Sequence, residues 1–153
     1  MHSLELKIPP PVVALIFGIC MWFIASLAPS FALPFKSRVV FAVLLALVGQ
    51  AVGVAGMIAF RRAKTTLNPV NPSMVSSLVA GGIFRYTRNP MYLGWSLTLL
   101  GLAGYLESPV TLLFVPLFML YITRFQIKPE ERALSSMFGA QYVAYSRAVR
   151  RWL

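Results

Sequence analysis

A chain of 153 residues that is 58% hydrophobic and only 12% charged, with a mean hydropathy of +0.74, is too apolar for a water-soluble domain of this size. Its formal charge of +10 would suit nucleic acid, but the basic residues are distributed like membrane topology signals, which argues against a nucleic-acid partner. Cys20 is the single cysteine, which excludes a disulfide framework and a cysteine metal site, and the length fits one domain, 1–153.

Residues 1–11 form a short lead stiffened by Pro9, Pro10 and Pro11. Lys7 precedes a long apolar run with no clear small-residue cleavage site, which reads as a retained membrane helix rather than a signal peptide. Residues 8–35 and 39–60 carry no charge, and each exceeds the roughly 20 residues a helix needs to cross the hydrocarbon core. A first helix is expected over Val12–Ala28 and a second over Val39–Phe60, joined by a short loop opened by Pro29 and closed near Lys36 and Arg38. Gly49, Gly53 and Gly56 have the small-residue spacing that lets another helix approach closely, and they are equally compatible with ordinary membrane-helix glycine.

Thr65–Pro69 and Asn71–Ser73 are turn signals in a polar connection. Val75–Phe84 fits a short interfacial helix or an extended segment. Two further uncharged runs, 89–106 and 108–123, are parted only by Glu107 and predict a tight helical hairpin, Pro90–Leu106 and Pro109–Thr123, with a kink at Pro116. Leu134, Phe138, Tyr142, Tyr145, Val149 and Trp152 then recur at helical spacing, predicting an amphipathic helix from Pro129 to Trp152. The fold class is therefore an all-α integral membrane protein with about four spans, the last two a hairpin, plus a C-terminal amphipathic helix. With four spans and both termini on one side, twelve Lys and Arg share that side and two, Lys36 and Arg38, lie on the other. This bias places both termini, and the polar clusters with them, in the cytoplasm.

Two polar clusters stand out. In Gly81–Gly94, Arg88-Asn89-Pro90-Met91-Tyr92 leads into the third span. Asn as N-cap, Pro in the first turn, a basic residue inside and Tyr at the interface explain it without function. The same geometry offers unpaired N–H groups and a positive dipole end, and Arg88 adds a carboxylate-binding fork. Glu130 and Glu131, half of the acidic residues, either complement a helix dipole or hold a polar ligand. Glu5 and Glu107 fall outside both clusters.

The absences narrow the chemistry. His2 is the one histidine, so no Ser-His or Cys-His nucleophile and no zinc-binding His pair can be assembled, and no charge lies within a span to couple protons to transport. Methyl transfer from a sulfonium donor fits this inventory, because the donor is already activated and the protein need only align the reactants.

At these residues the chain resembles the isoprenylcysteine carboxyl methyltransferase and phospholipid methyltransferase superfamily of integral membrane enzymes. That family carries Arg-His-Pro-x-Tyr at the mouth of a helical hairpin, then a Glu-Glu pair and Phe-Gly-x-x-Tyr-x-x-Tyr. Arg88, Pro90 and Tyr92 match the first motif; Glu130, Glu131, Phe138, Gly139, Tyr142 and Tyr145 match the second. The resemblance covers about residues 60–152 and implies S-adenosylmethionine as donor, with a lipophilic acceptor entering from the bilayer. It divides the chain into two N-terminal spans, 1–60, and a cofactor-binding core, 61–153. It implies Gly82, Arg88, Asn89, Pro90, Tyr92, Glu130, Glu131 and Tyr142 as cofactor-binding residues, and Arg124 and Glu131 as catalytic ones, with no metal. Asn89 departs from the family histidine; it cannot titrate near neutral pH, which favours an acceptor that is already anionic.

The expected reaction is therefore carboxyl O-methylation of an isoprenylcysteine-like acceptor. N-methylation of an aminophospholipid ranks second, since an amine must lose a proton and no base is evident. A nicotinamide-dependent reductase of lipids and a non-catalytic module binding membrane lipids or a partner are the remaining alternatives.

Overall fold

The protein is described by a computed structural model over residues 5–28, 30, 33–63 and 77–153. The turn signals at Thr65–Pro69 and Asn71–Ser73, and His2, lie outside these residues.

Helix α1 runs Pro10–Leu27, with Pro in its first turn where no N–H is needed. Helix α2 runs Phe35–Arg62, starting four residues before the expected Val39. The expectation began it after the last charge, but a helix need not start where the hydrocarbon does, and Lys36 and Arg38 lie in its first turn. A 3-10 turn, Gly82–Arg85, precedes α3, which runs Pro90–Leu106 as expected.

The second arm of the hairpin is broken into α4, Pro109–Leu112, and α5, Phe114–Ile122. Pro116 is the cause: its ring excludes the carbonyl four residues back, that of Leu112, so the break falls one turn before the proline. A single π-helical turn, Thr123–Ile127, then joins α5 to α6, Lys128–Ala148. The expected separate amphipathic helix is thus continuous with the span before it. It also ends at Ala148 rather than Trp152: Val149 is extended, and the last residues leave the helix axis.

Among the described residues the fold is all-α, and three to four helical stretches suit a membrane crossing. Those of at least 18 residues are α1, α2 and the 40-residue run Pro109–Ala148, whose apolar part ends at Arg124. The fourth, α3, has 17 residues, about 25 Å at helical rise, the short end of the spanning range. Large apolar side chains such as Leu15, Phe23, Leu44, Leu47 and Leu120 point outward. Water would penalise that surface, whereas lipid solvates it.

Helix α2 packs on α3 along a glycine seam. A Cβ on Gly49 would stand 2.5 Å from the carbonyl oxygen of Gly94, and one on Gly56 would stand 2.9 Å from the Pro90 ring. Gly53 faces open space. Two of the three glycines therefore serve close approach within the chain. On the other side of α3, Met21, Leu99, Ala103, Phe118 and Ile122 form a buried core between α1, α3 and α5. Antiparallel packing gathers residues 5–9, 60–62, 84–92 and 124–152 at one end of the bundle, tied by Gln126 Nε2 donating to Ile8 O at 2.7 Å. The other end holds Leu33, Arg38 and Glu107.

Candidate functional site

Asn89 stands at the N-cap of α3, yet its side chain does not cap the helix. Its Nδ2 donates instead to the carbonyl of Arg151 at 2.9 Å, and its own N–H is taken by Thr87 Oγ1 at 3.1 Å. The Arg88 N–H donates to the carbonyl of Arg150 at 3.1 Å. The extended chain end is therefore strapped across the segment that opens α3. The first turn of α3 keeps amide groups without a side-chain partner, the feature that makes a helix start attractive to anions.

Glu131 faces this opening and takes two arginines. Arg151 donates Nε to Oε1 at 2.9 Å and Nη2 to Oε2 at 2.7 Å, a bidentate fork. Arg88 Nη1 lies 3.0 Å from Oε1 and donates to the Tyr142 hydroxyl at 3.2 Å. The Nε of Arg88 is buried with no partner among the described residues. Simple complementation of a helix dipole does not account for Glu131, because α6 continues from the π turn and has no free N-terminus at Lys128.

Glu130 is different. Glu5, Glu107 and Glu131 each pair with arginine, whereas Glu130 has no cationic partner among the described residues. Its Oε1 accepts the Tyr92 hydroxyl at 2.5 Å. Burial pushes its carboxyl up to about 7; the Tyr92 hydrogen bond offsets this and the Glu131 charge adds to it. Burial likewise raises the Tyr145 phenol to about 12, and its hydroxyl donates to Phe84 O at 2.9 Å.

Arg88, Asn89, Tyr92, Glu130, Glu131, Tyr142 and Tyr145 line a cavity of about 840 Å³, counting its open mouth, with Phe60, Leu78, Phe84, Met91, Leu134 and Ile127 as apolar walls, and Arg151 braces Glu131 from outside that lining. The Phe-Gly-x-x-Tyr-x-x-Tyr spacing has a structural reason. Gly139 bends α6 with φ 48° and ψ −121°, a conformation that side-chain-bearing residues avoid, and the bend turns Tyr142 and Tyr145 onto the cavity.

Of the residues singled out from sequence, Arg88, Asn89, Pro90, Tyr92, Glu130, Glu131 and Tyr142 meet at this cavity. Gly82 does not: it supplies the φ of 60° needed by the 3-10 turn and borders a neighbouring cleft. Arg124 does not either: its Nη1 donates to Glu5 Oε1 at 2.9 Å, and Arg132 holds the other oxygen at 2.6 Å. Arg151, which holds Glu131 from outside the cavity lining, was not singled out from sequence, because a helix continued to Trp152 does not bring it back onto the start of α3. The basic pair Arg150-Arg151 at the chain end was the available signal.

Fold and site together define an all-α membrane protein with a polar pocket at one end of its bundle. The chain belongs to the phospholipid methyltransferase family, whose profile matches residues 37–141 and so takes in both motifs up to Gln141. The resemblance to the wider superfamily of isoprenylcysteine and phospholipid methyltransferases is thereby borne out. Protein-S-isoprenylcysteine O-methyltransferase A of Arabidopsis thaliana is 30% identical over 112 residues, 71% of this chain and 55% of that protein, so the chain spans about half of its length. An uncharacterised protein of Haemophilus influenzae is 44% identical over 63 residues, 41% of this chain and the whole of that protein. No solved structure matches the chain at a significant level.

Proposed function

We propose that this membrane methyltransferase homologue transfers a methyl group from S-adenosylmethionine to a lipophilic acceptor, in a pocket facing the cytoplasm. The observation that carries the reading is the division of charge around one cavity. Arg88, its Nη1 shared between Glu131 and Tyr142 and its buried Nε without a partner among the described residues, stands beside the uncapped start of α3. Glu130 presents a carboxyl group without a counter-ion among the described residues, and Glu131 fixes Arg88. A ligand that carries both a carboxylate and cationic groups answers both demands, and S-adenosylmethionine is such a ligand. Arg88 and the α3 amides would take its carboxylate; Glu130 and Glu131 would face its cationic groups; Phe84, Tyr142 and Tyr145 offer flat walls for an aromatic base. The cofactor would supply a methyl group already activated on sulfonium. The excess of basic residues at this end supports cytoplasmic placement of the pocket and both termini.

For the acceptor, a carboxylate on an isoprenylcysteine-like molecule stands first. It is already a nucleophile and asks the protein only for alignment. The Arabidopsis relative's name supports it. One observation favours N-methylation of an aminophospholipid as a second reading: Glu130 lines the cavity without an arginine partner among the described residues, and burial pushes its carboxyl up to about 7, the range in which it would take a proton from an amine.

Calorimetry of S-adenosylmethionine binding to the detergent-purified protein, with Arg88→Ala and Glu131→Gln alongside, tests the reading. Saturable binding that falls tenfold or more (about 1.4 kcal/mol) in both variants is expected. A folded wild-type protein that binds none overturns it. Assays with a farnesylated cysteine and with phosphatidylethanolamine then separate the two acceptors.

A further inference from the structure

Between α5 and α6 the chain makes its π turn, Thr123–Ile127, in which the Lys128 N–H reaches back five residues to the carbonyl of Thr123. Such a turn closes over one residue more than an α-helical turn, and one residue is about 100° of rotation about a helix axis. Everything after it therefore faces a direction that an unbroken α-helix would not give. Ile127, Glu130, Glu131 and Leu134, spaced as one helical face, are turned onto the cavity.

The turn is held from outside by the segment that leads into α1. The Leu6 N–H donates to the carbonyl of Phe125 at 3.1 Å. Gln126 is 4% exposed, and its amide donates to the carbonyl of Ile8 at 2.7 Å. Glu5 bridges the turn: one carboxylate oxygen takes Arg124 Nη1 at 2.9 Å, and the other takes Arg132 Nη2 at 2.6 Å, beyond the turn in α6. Three consecutive residues of the π turn, Arg124, Phe125 and Gln126, thus each have a partner in the stretch Glu5–Ile8. Leu6 takes φ 57°, a left-handed conformation that non-glycine residues seldom adopt, where these contacts are made. Glu5, Arg124, Gln126 and Arg132 all stand outside the cavity lining. Their contacts meet at the turn, and π turns are rare, short and concentrated at functional sites.

We propose that Glu5–Ile8 is a clamp on the π turn, with Gln126 as its positioning residue, and that by fixing the direction in which α6 sets out it keeps Glu130 against Tyr92 and Glu131 against Arg88. The clamp serves the pocket read above as a cofactor site, but its decisive readout is the Glu130–Tyr92 contact, which needs no cofactor.

The test uses the full chain in detergent. Thermal midpoints are followed across the pH range in which Glu130 titrates, for each background with and without Glu130→Gln, and the difference isolates the part of the slope that belongs to Glu130. The charged and titratable groups around Glu130 among the described residues are Tyr92 of α3, Arg88 ahead of it, and Glu131, Tyr142 and Tyr145 of α6, all unchanged in the test. Gln126→Met removes the amide at similar volume, and Glu5→Gln weakens the brace at a site that tolerates a polar side chain. Each is expected to shrink the Glu130 part by roughly half or more, because a carboxyl turned out of its niche titrates like an ordinary one. Gly104→Ala, whose Cβ would stand 2.5 Å from the Phe41 ring at the far end of the bundle, should lower the midpoint and leave the Glu130 part intact. S-adenosylmethionine affinity should fall about fivefold in Gln126→Met and Glu5→Gln. A wild type that binds none yet shows the pH pattern keeps the clamp and removes only the cofactor. A Glu130 part unchanged in both clamp variants, or lost equally in Gly104→Ala, overturns the clamp.

Discussion

Arg151 grips Glu131 with both sides of its guanidinium fork, Nε at 2.9 Å and Nη2 at 2.7 Å, across 20 residues of chain. The grip ties the last extended residues to the acid that also holds Arg88. Arg151→Ala is expected to weaken S-adenosylmethionine binding about tenfold, or about 1.4 kcal/mol, because Glu131 keeps only Arg88. Arg151→Lys recovers part of the loss, since an ammonium is a point charge rather than a fork. Deleting residues 151–153 also removes the acceptor of Asn89 Nδ2 and loses more. Calorimetry on the three variants checks this, and an unchanged affinity in the truncation would sink the strap.

Glu130 makes stability depend on pH with a definite sign. Its carboxyl lies near 7 in the folded protein against an ordinary 4.5, so the folded state keeps a proton that the unfolded state has released between those values. Stability is full below about pH 4.5 and falls as pH rises toward 7, by at most about 3 kcal/mol for a shift of this size. Glu130→Gln removes that slope. Thermal midpoints from pH 4.5 to 8 measure it, with a His2→Ala control for the chain's one histidine. A slope that survives in Glu130→Gln assigns the effect elsewhere.

The same acid reports on its ligand. A cationic group entering the cavity stabilises the Glu130 carboxylate and expels its proton near pH 6.5. Binding enthalpies of S-adenosylmethionine in buffers of differing ionisation heat should therefore reveal proton release in the wild type and none in Glu130→Gln. Equal release in both would remove Glu130 from the cationic side of the site.

The glycine seam gives a paired test. A Cβ on Gly94 meets the Gly49 carbonyl, so Gly94→Ala should cost about 1–3 kcal/mol as α2 and α3 are pushed apart. Gly53 faces open space, so Gly53→Ala should be neutral or gain up to about 1 kcal/mol through helix propensity. Denaturation midpoints that move equally in the two variants would contradict the seam.

Gly139→Ala forces a side chain into φ 48°, ψ −121°, at an expected cost of about 1–3 kcal/mol. Relief by straightening α6 would carry Tyr142 off Arg88 and Tyr145 off the Phe84 carbonyl. Both a lower Tm and weaker S-adenosylmethionine binding are expected. A variant that loses stability but binds like the wild type would separate the bend from the site.

Much was legible in the sequence because membrane spans are local: an uncharged run crosses the bilayer whatever surrounds it, so α1, α2 and Pro90–Leu106 could be read directly. The polar clusters were legible for a related reason, since Arg88, Asn89, Glu130 and Glu131 are conspicuous in a chain that is 58% hydrophobic. Their meeting at one cavity was decided by tertiary structure. Glu130 and Glu131 are neighbours in sequence, yet one turns to Tyr92 and the other to two arginines, a split set by where the start of α6 meets the first turn of α3 and the last residues of the chain. Arg124, which the resemblance implies as catalytic, stands outside the cavity lining on Glu5, 119 residues away, a placement that sequence spacing does not give. Arg151 reaches Glu131 because the helix ends at Ala148 and the chain turns back to Asn89, a path the helical spacing up to Trp152 did not predict. Sequence spacing fixes which residues share a helix face; only the docking of helices at their glycine contacts, and the path of the chain end over α3, sets the distances between faces.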